Sequence, residues 1–169
     1  MQRFVDFIQY RIYTLTMSQD KQQIWIRKAS PEDMPFIGEH LTRFMLDDED
    51  LDHRQFVVAI EGQKLVGFGR IIPHKRVYEL GGIGVIEDKR NRGIGTMIVE
   101  YLKRIFPSDD VYIITDIPGY FERLGFAKAQ NPPEELLTKI ERVCRTKCHR
   151  DGVVMLFKRK KPDDCITLG

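Results

Sequence analysis

The sequence lacks a long apolar run, has few cysteines and carries little excess charge. No apolar stretch approaches the roughly 20 residues that are needed to span a bilayer, so no membrane protein is predicted. The formal net charge of +2 is too small to favour nucleic acid as a partner. The three cysteines, Cys144, Cys148 and Cys165, are odd in number and do not form the pattern of a disulfide framework. We therefore expect a reducing, cytoplasmic setting.

The N-terminal segment also lacks the features of a signal peptide. Charged and amide side chains interrupt it, and no small-residue cleavage site follows. Apolar residues at near-helical spacing allow a short amphipathic helix, and the alternative is an extension packed on the domain or disordered. The length of 169 residues fits one domain with its own core. We predict an extension of unknown role at 1–23, one domain at 24–160 and a tail at 161–169.

The spacing of apolar residues within 24–160 predicts alternating strands and helices. Strands are predicted at 24–28, 56–60, 65–72, 77–85, 111–115 and 153–157. Helices are predicted from residue 31 onward, at 94–106, at 120–124 and at 133–147. The helix at 94–106 has the clearest periodicity, and Pro107 ends it. This order of elements predicts one mixed α/β layer structure.

A glycine-bearing loop lies between the strand at 77–85 and the helix at 94–106. Its segment 90–96 reads Arg-Asn-Arg-Gly-Ile-Gly-Thr. Glycines at such a turn let several N–H groups converge at the positive end of the helix dipole, and Arg90 and Arg92 add charge. The loop therefore predicts a phosphate or pyrophosphate site. The alternative is an ordinary glycine-bearing connection with solvated arginines. A P-loop is excluded because Gly-Lys-Ser/Thr is absent, and a dinucleotide fingerprint is excluded because its third glycine is missing.

Residues 90–95 resemble the Arg/Gln-x-x-Gly-x-Gly/Ala signature of the GNAT superfamily, the acetyl-CoA-dependent N-acetyltransferases. A second family feature, an aromatic helix followed by Gly-Phe, is matched by residues 120–126. The resemblance covers about four fifths of the chain. It implies a single-domain fold with a central mixed, mostly antiparallel sheet flanked by helices. It also implies an acetyltransferase domain at 24–160 and acetyl-CoA as co-substrate, without a metal.

The resemblance assigns the cofactor site to the end of the strand at 77–85 and to the loop that follows. In the family this strand and the next splay apart, and the pantetheine arm lies between them. The cofactor-binding residues implied are Ile83, Gly84, Val85, Arg90, Asn91, Arg92, Gly93, Ile94, Gly95 and Thr96. Glycine in the strand agrees with an arm lying close to the backbone.

Glu79 is the candidate general base for deprotonating the acceptor amine. It lies eleven residues before Arg90, a spacing at which several family members carry a catalytic glutamate. A strict period of two places Glu79 on the same face as Gly81, Ile83 and Val85. The alternative role is a solvated or salt-bridged glutamate.

Tyr120 is the candidate general acid, although the family tyrosine corresponds to Phe121 and Tyr120 is one position away. A packing role is the alternative. Thr115 and Asp116, at the end of a buried strand, are candidates for holding the substrate.

The predicted reaction is acetyl transfer from acetyl-CoA to a primary amine of a small molecule or peptide. A looser resemblance to small N-acetylglutamate-synthase-related acetyltransferases suggests an amino-acid amine. A homodimer is compatible with the family. Two alternatives stay open: a CoA-binding regulatory module without catalysis, and a partner-binding domain that uses the basic run 158–161. A zinc site at the three cysteines is disfavoured because paired short Cys-x-x-Cys spacing is missing.

Overall fold

The computed structural model describes residues 23–142 and 151–160. Within these residues one seven-stranded sheet has helices on both faces. The strands are β1 (Ile24–Lys28), β2 (Phe56–Glu61), β3 (Lys64–Pro73), β4 (Tyr78–Val85), β5 (Asp110–Thr115), β6 (Ala127–Lys128) and β7 (Val153–Lys158). The helices are α1 (Met34–Arg43), α2 (Ile94–Ile105), α3 (Pro118–Glu122) and α4 (Glu134–Lys139). Single 3₁₀ turns occupy Pro31–Asp33, His53–Gln55 and Glu87–Lys89.

The sheet has the order β1-β2-β3-β4-β5-β7-β6, and every neighbouring pair is antiparallel except β4 and β5. The parallel pair needs a crossover, and α2 provides it. β4 and β5 pair only at Glu79 with Tyr112 and at Leu80 with Ile113. Beyond those two positions the strands no longer pair, so the sheet opens at the carboxyl ends of β4 and β5.

A β-bulge in β4 coincides with this opening. Arg70 pairs with Gly81 and Phe68 pairs with Gly84. The one residue between Phe68 and Arg70 in β3 therefore lies opposite two residues of β4, 82 and 83. Gly82 has a φ of 54°, a left-handed conformation that favours glycine. A bulge bends its strand, which explains why β4 turns away from β5.

The bulge corrects the prediction that Glu79 shares a face with Gly81, Ile83 and Val85. The extra residue breaks the period of two. Glu79 and Gly81 lie on the α1 face, opposite Ile72 and Arg70, whereas Ile83 and Val85 pack in the core on the α2 face. A one-residue insertion reverses the faces of all residues that follow it.

Two main apolar cores, one on each face, hold the sheet between its helices. On one face α2 buries Ile94, Ile98, Val99 and Leu102 against the sheet. On the other face Ile37 and Leu41 of α1 pack against alternate residues of β2 and against Phe68. A smaller cluster joins Leu136 of α4 to Val154 of β7 on the α1 face.

The fold class predicted from the sequence is confirmed. The strand β6 was not predicted, because two residues are too short for a pattern. Helix α4 is shorter than the predicted helix 133–147, and residues 143–147 lie outside the described part of the chain. Cys144, Cys148 and Cys165 also lie outside it, as do residues 1–22 and 161–169. Among the described residues there is no helix of the length and apolarity required to traverse a membrane, and no cluster suited to binding a metal ion.

Candidate functional site

A cavity of about 700 Å³ occupies the opening between β4 and β5. One end is formed by the loop before α2 and by the first turn of that helix. The other end is formed by Glu79, by Lys139 of α4 and by Asp47 in the segment after α1. Residues of the predicted site that line the cavity are Glu79, Ile83, Val85, Arg90, Asn91, Gly93, Ile94, Gly95, Thr96, Thr115, Asp116 and Tyr120. The structure thus brings most of the predicted residues to one space.

The loop before α2 curls because two of its residues adopt left-handed backbone conformations. Asn91 has a φ of 61° and Gly93 a φ of 80°. The first α-helical hydrogen bond runs from the N–H of Met97 to the carbonyl of Gly93, at 3.0 Å. The N–H groups of the first turn therefore have no partner within the helix. Together with the helix dipole they provide the geometry that favours an anion at this position.

The cations around this loop are engaged in different ways. Arg90 donates from Nε to the carbonyl oxygen of Val85 at 3.0 Å, and its guanidinium lies 4.8 Å from the ring centre of Phe44. Arg92 does not line the cavity. It donates to Glu61 at 2.6 Å, and Lys89 lies 2.6 Å from the other oxygen of that carboxylate. The hydrogen bonds from Arg92 and then Lys89 lower the pKa of Glu61 to about 2.

Tyr120 points to the end of the cavity that is formed by the loop before α2. Its hydroxyl lies 3.1 Å from Oγ1 of Thr96, and a Cβ on Gly95 would lie 3.0 Å from the same hydroxyl. Phe121, at the position of the family tyrosine, is buried and packs edge-on against Phe126. A side chain at residue 95 would therefore require the tyrosine hydroxyl to shift by a few tenths of an ångström.

Three further predicted residues have distinct environments. Thr115 is buried, and its Oγ1 accepts a hydrogen bond from the N–H of Ile117 at 3.1 Å. Asp116 is exposed at the cavity wall. Gly84 does not line the cavity, because it faces Phe68, whose ring would lie 2.5 Å from a Cβ at that position. Only the backbone of Gly84 is thus available to a ligand.

Glu79 is almost completely buried, with 3% of its surface exposed, and it is held by two basic groups. Lys139 donates to its Oε2 at 2.8 Å. Nε2 of His74 lies 2.8 Å from the same oxygen. A Cβ on Gly81 would lie 3.4 Å from the second oxygen, Oε1. The absence of a side chain at residue 81 therefore leaves space beside Oε1.

Asp47 and Arg70 extend this arrangement and were not singled out from the sequence. Oδ2 of Asp47 lies 2.7 Å from Lys139 and 3.1 Å from Arg70, whose side chain is completely buried. Burial, the largest single effect, would raise the pKa of Asp47. The charge and hydrogen bond of Lys139, the N–H of Glu49 and the charge of Arg70 together outweigh burial, so this pKa is lowered. Burial lowers the pKa of Arg70, against the opposing effect of Asp47.

Two signals in the sequence could have indicated these residues. Arg70 interrupts an otherwise apolar strand, and Lys139 lies three residues after the fully buried Leu136, on the same side of the helix. A charged residue in such a position has a buried partner more often than not.

Comparisons with known proteins agree with this geometry. The acetyltransferase (GNAT) family profile matches residues 20–126. A curated relative, described as an uncharacterized N-acetyltransferase of Chlorobaculum tepidum, is 29% identical over 99 residues, which are 56% of this chain and 62% of that protein. The chain thus spans less than two thirds of the length of this relative. The chain belongs to the acetyltransferase (GNAT) family, and the predicted superfamily is confirmed.

Solved structures show the same fold at low sequence identity. N-acetylglutamate synthase from Neisseria gonorrhoeae, complexed with coenzyme A and N-acetyl-glutamate, has a TM-score of 0.66 at 14% identity. The match covers 84% of this chain but 36% of the synthase. Rv2747 from Mycobacterium tuberculosis, in complex with CoA and NLQ, has a TM-score of 0.64 at 20% identity over 80% of this chain and 99% of that one. Both of these proteins were crystallised with CoA.

Proposed function

We propose that this protein is an N-acetyltransferase that transfers the acetyl group of acetyl-CoA to a primary amine. The observation that carries the proposal is the cavity between β4 and β5. It joins an anion-binding helix terminus at one end to a buried carboxylate at the other. Acetyl transfer from CoA requires both: a site for phosphate groups and a group that removes a proton from the amine.

In this proposal the loop at 90–96 and the first turn of α2 bind the pyrophosphate of CoA. Arg90 is within reach of the cavity, whereas Arg92 contributes through its contact with Glu61, which holds the loop against the β2–β3 hairpin. The backbone of residues 83–85, of which Ile83 and Val85 line the cavity, is proposed to bind the pantetheine arm. The side chains of Ile83 and Val85 pack in the core and support that backbone.

The chemical step is direct attack of the neutral amine on the thioester carbonyl. Glu79 accepts the amine proton, through an intervening water, and the tetrahedral intermediate collapses with loss of the CoA thiolate. Tyr120, which lines the same cavity as Glu79, is proposed to protonate that thiolate. Thr115 and Asp116 are proposed to contact the acceptor. An amino-acid amine is the acceptor class proposed.

The test is thiol release from acetyl-CoA with a panel of amines, for the wild type and for Glu79→Gln. We expect the wild type to turn over with at least one amine. The variant should lose about 10²–10⁴-fold in kcat, the usual contribution of a general base. CoA binding should be unchanged, since Glu79 lies at the opposite end of the cavity from the loop.

Tyr120→Phe is the companion variant for the general acid, because it removes only the hydroxyl. The outcome that would contradict the proposal is intact CoA binding by the wild type without turnover of any amine. That result would favour the CoA-binding regulatory module instead.

A further inference from the structure

Lys139 occupies an unusual position for a lysine, because its ammonium group is buried at the end of the cavity that Glu79 and Asp47 form. Its side chain is 8% exposed, and Nζ lies 2.7 Å from Oδ2 of Asp47 and 2.8 Å from Oε2 of Glu79. One ammonium group therefore links three separate parts of the chain: α4, the segment after α1, and β4. Burial of an unpaired ammonium is very costly, so both carboxylates are needed to keep it there.

The partners of Asp47 show that this carboxylate serves to hold Lys139. Its Oδ2 forms ion pairs with both Lys139 and Arg70. Its Oδ1 accepts a hydrogen bond from the N–H of Glu49 at 3.0 Å. Both oxygens are thus in use. Arg70 also donates to the carbonyl oxygens of Asp47 and Glu49, at 2.9 and 3.0 Å, which fixes the segment that carries Asp47.

The two carboxylate oxygens of Glu79 have different surroundings. Lys139 and His74 both contact Oε2, whereas Oε1 lies over Gly81, a residue of the cavity wall. A carboxylate held at one oxygen by two groups from different elements has little freedom to rotate. The oxygen beside Gly81 is therefore the one directed to an acceptor.

We propose that Lys139 is a positioning residue for Glu79. It fixes the orientation of the carboxylate, with Oε1 toward the cavity, and supplies the positive charge that allows a buried carboxylate to be ionised and accept a proton. This inference rests on the proposed role of Glu79. The charged and titratable groups that surround Glu79 are Lys139 of α4, His74 between β3 and β4, Arg70 of β3, Tyr112 of β5 and, through Lys139, Asp47.

The decisive variant is Lys139→Gln, which removes the charge and keeps a hydrogen-bonding group. The carboxyl carbon of Glu79 is followed by ¹³C NMR as a function of pH in the wild type and the variant. We expect the pH-dependent change of this carbon signal to move to higher pH in the variant, because an opposite charge beside a carboxylate favours its ionised form. Lys139→Arg should retain the wild-type titration, because the charge is kept.

Lys103→Gln is the matched control. Lys103 is buried to the same degree and is ion-paired, to Glu100 at 2.8 Å, but it lies on α2 and does not line the cavity. It should leave the titration of Glu79 unchanged even if it lowers stability. If Lys139→Gln does not fold, Lys139→Met replaces it, since Met keeps an unbranched apolar stem without charge.

Kinetics give a second readout. The acidic limb of the pH profile of kcat/KM should move to higher pH in Lys139→Gln, with KM for acetyl-CoA unchanged. In a Glu79→Gln background the same substitution should have no further effect on kcat, because coupled residues are not additive. Titration of Glu79 at the wild-type pH in Lys139→Gln would overturn the inference. Absence of turnover with every amine, alongside a shifted carbon signal, would instead reject the proposed function, while the coupling of Lys139 to the Glu79 carboxylate would still hold.

Discussion

At the scale of single residues, Gly82 connects the backbone of the cavity to the buried Arg70. Its φ of 54° is unfavourable for a side chain, and a Cβ there would lie 3.3 Å from Cγ and Nε of Arg70. We expect Gly82→Ala to lower the free energy of unfolding by about 1–3 kcal/mol, the range for a strained left-handed residue. Urea denaturation measures this. The variant should also bind CoA more weakly, because the bulge opens the cavity.

Gly38→Ala is the matched control for that substitution. Gly38 lies within α1, and a Cβ there would meet no atom within 4 Å. Alanine is favoured over glycine inside a helix, so this variant should gain about 0.5–1 kcal/mol. Equal effects of the two substitutions would show that the conformation of Gly82 carries no strain.

At the scale of elements, Glu61 joins the β2–β3 hairpin to the loop that precedes α2. The pKa of its carboxyl is lowered from 4.5 to about 2 by Arg92 and Lys89. A lowered pKa in the folded state means that the ionised form stabilises the fold. This contribution is complete above about pH 4.5 and is lost as the pH falls through about 2.

We therefore expect Glu61→Gln to be less stable than the wild type at neutral pH, and this difference should shrink steadily between pH 4.5 and 2. Urea midpoints measured at a series of pH values test this. In an Arg92→Gln background the effect of Glu61→Gln should be smaller, since the pair is already broken. A stability difference that is constant with pH would contradict the assignment.

At the scale of the whole molecule, the two halves of the sheet meet at the opening that CoA is proposed to occupy. A ligand that binds only the folded state stabilises it by about 2.7 kcal/mol at a concentration one hundred times its Kd. We expect CoA to raise the Tm of the wild type. Arg90→Ala combined with Gly93→Asp should abolish this increase, because a carboxylate then faces the phosphate site. An unchanged increase, with unchanged affinity by calorimetry, would refute the loop as the CoA site.

Much of the fold could be predicted because it depends on local patterns. The periodicity of α2 identified its buried face, Ile94, Ile98 and Leu102, and continuous apolar runs identified β2 and β5. Short or irregular elements could not be predicted in the same way. Two-residue β6 has no pattern of its own, and the bulge at Gly82 depends on the pairing between β3 and β4.

The candidate site also contains residues that could be predicted from the sequence and residues that could not. The residues of the loop before α2 could be predicted, since glycines and arginines at a strand-to-helix turn have a local physical meaning. Glu79 could be singled out through the family resemblance, because several members carry a glutamate at this spacing from the loop. The group that holds it could not, because Lys139 is sixty residues away and reaches Glu79 only when α4 packs on the sheet.

The sequence by itself determined which loop is proposed to bind an anion, because the signal lies in one continuous segment whose backbone and charge act together. Only the tertiary structure decided which side chains share the cavity. The bulge in β4 moved Ile83 and Val85 to the opposite face from Glu79, and the folded chain brought Asp47, Lys139 and Glu79 within hydrogen-bonding distance. These contacts are long-range, and their energies depend on burial that exists only after the layers have packed.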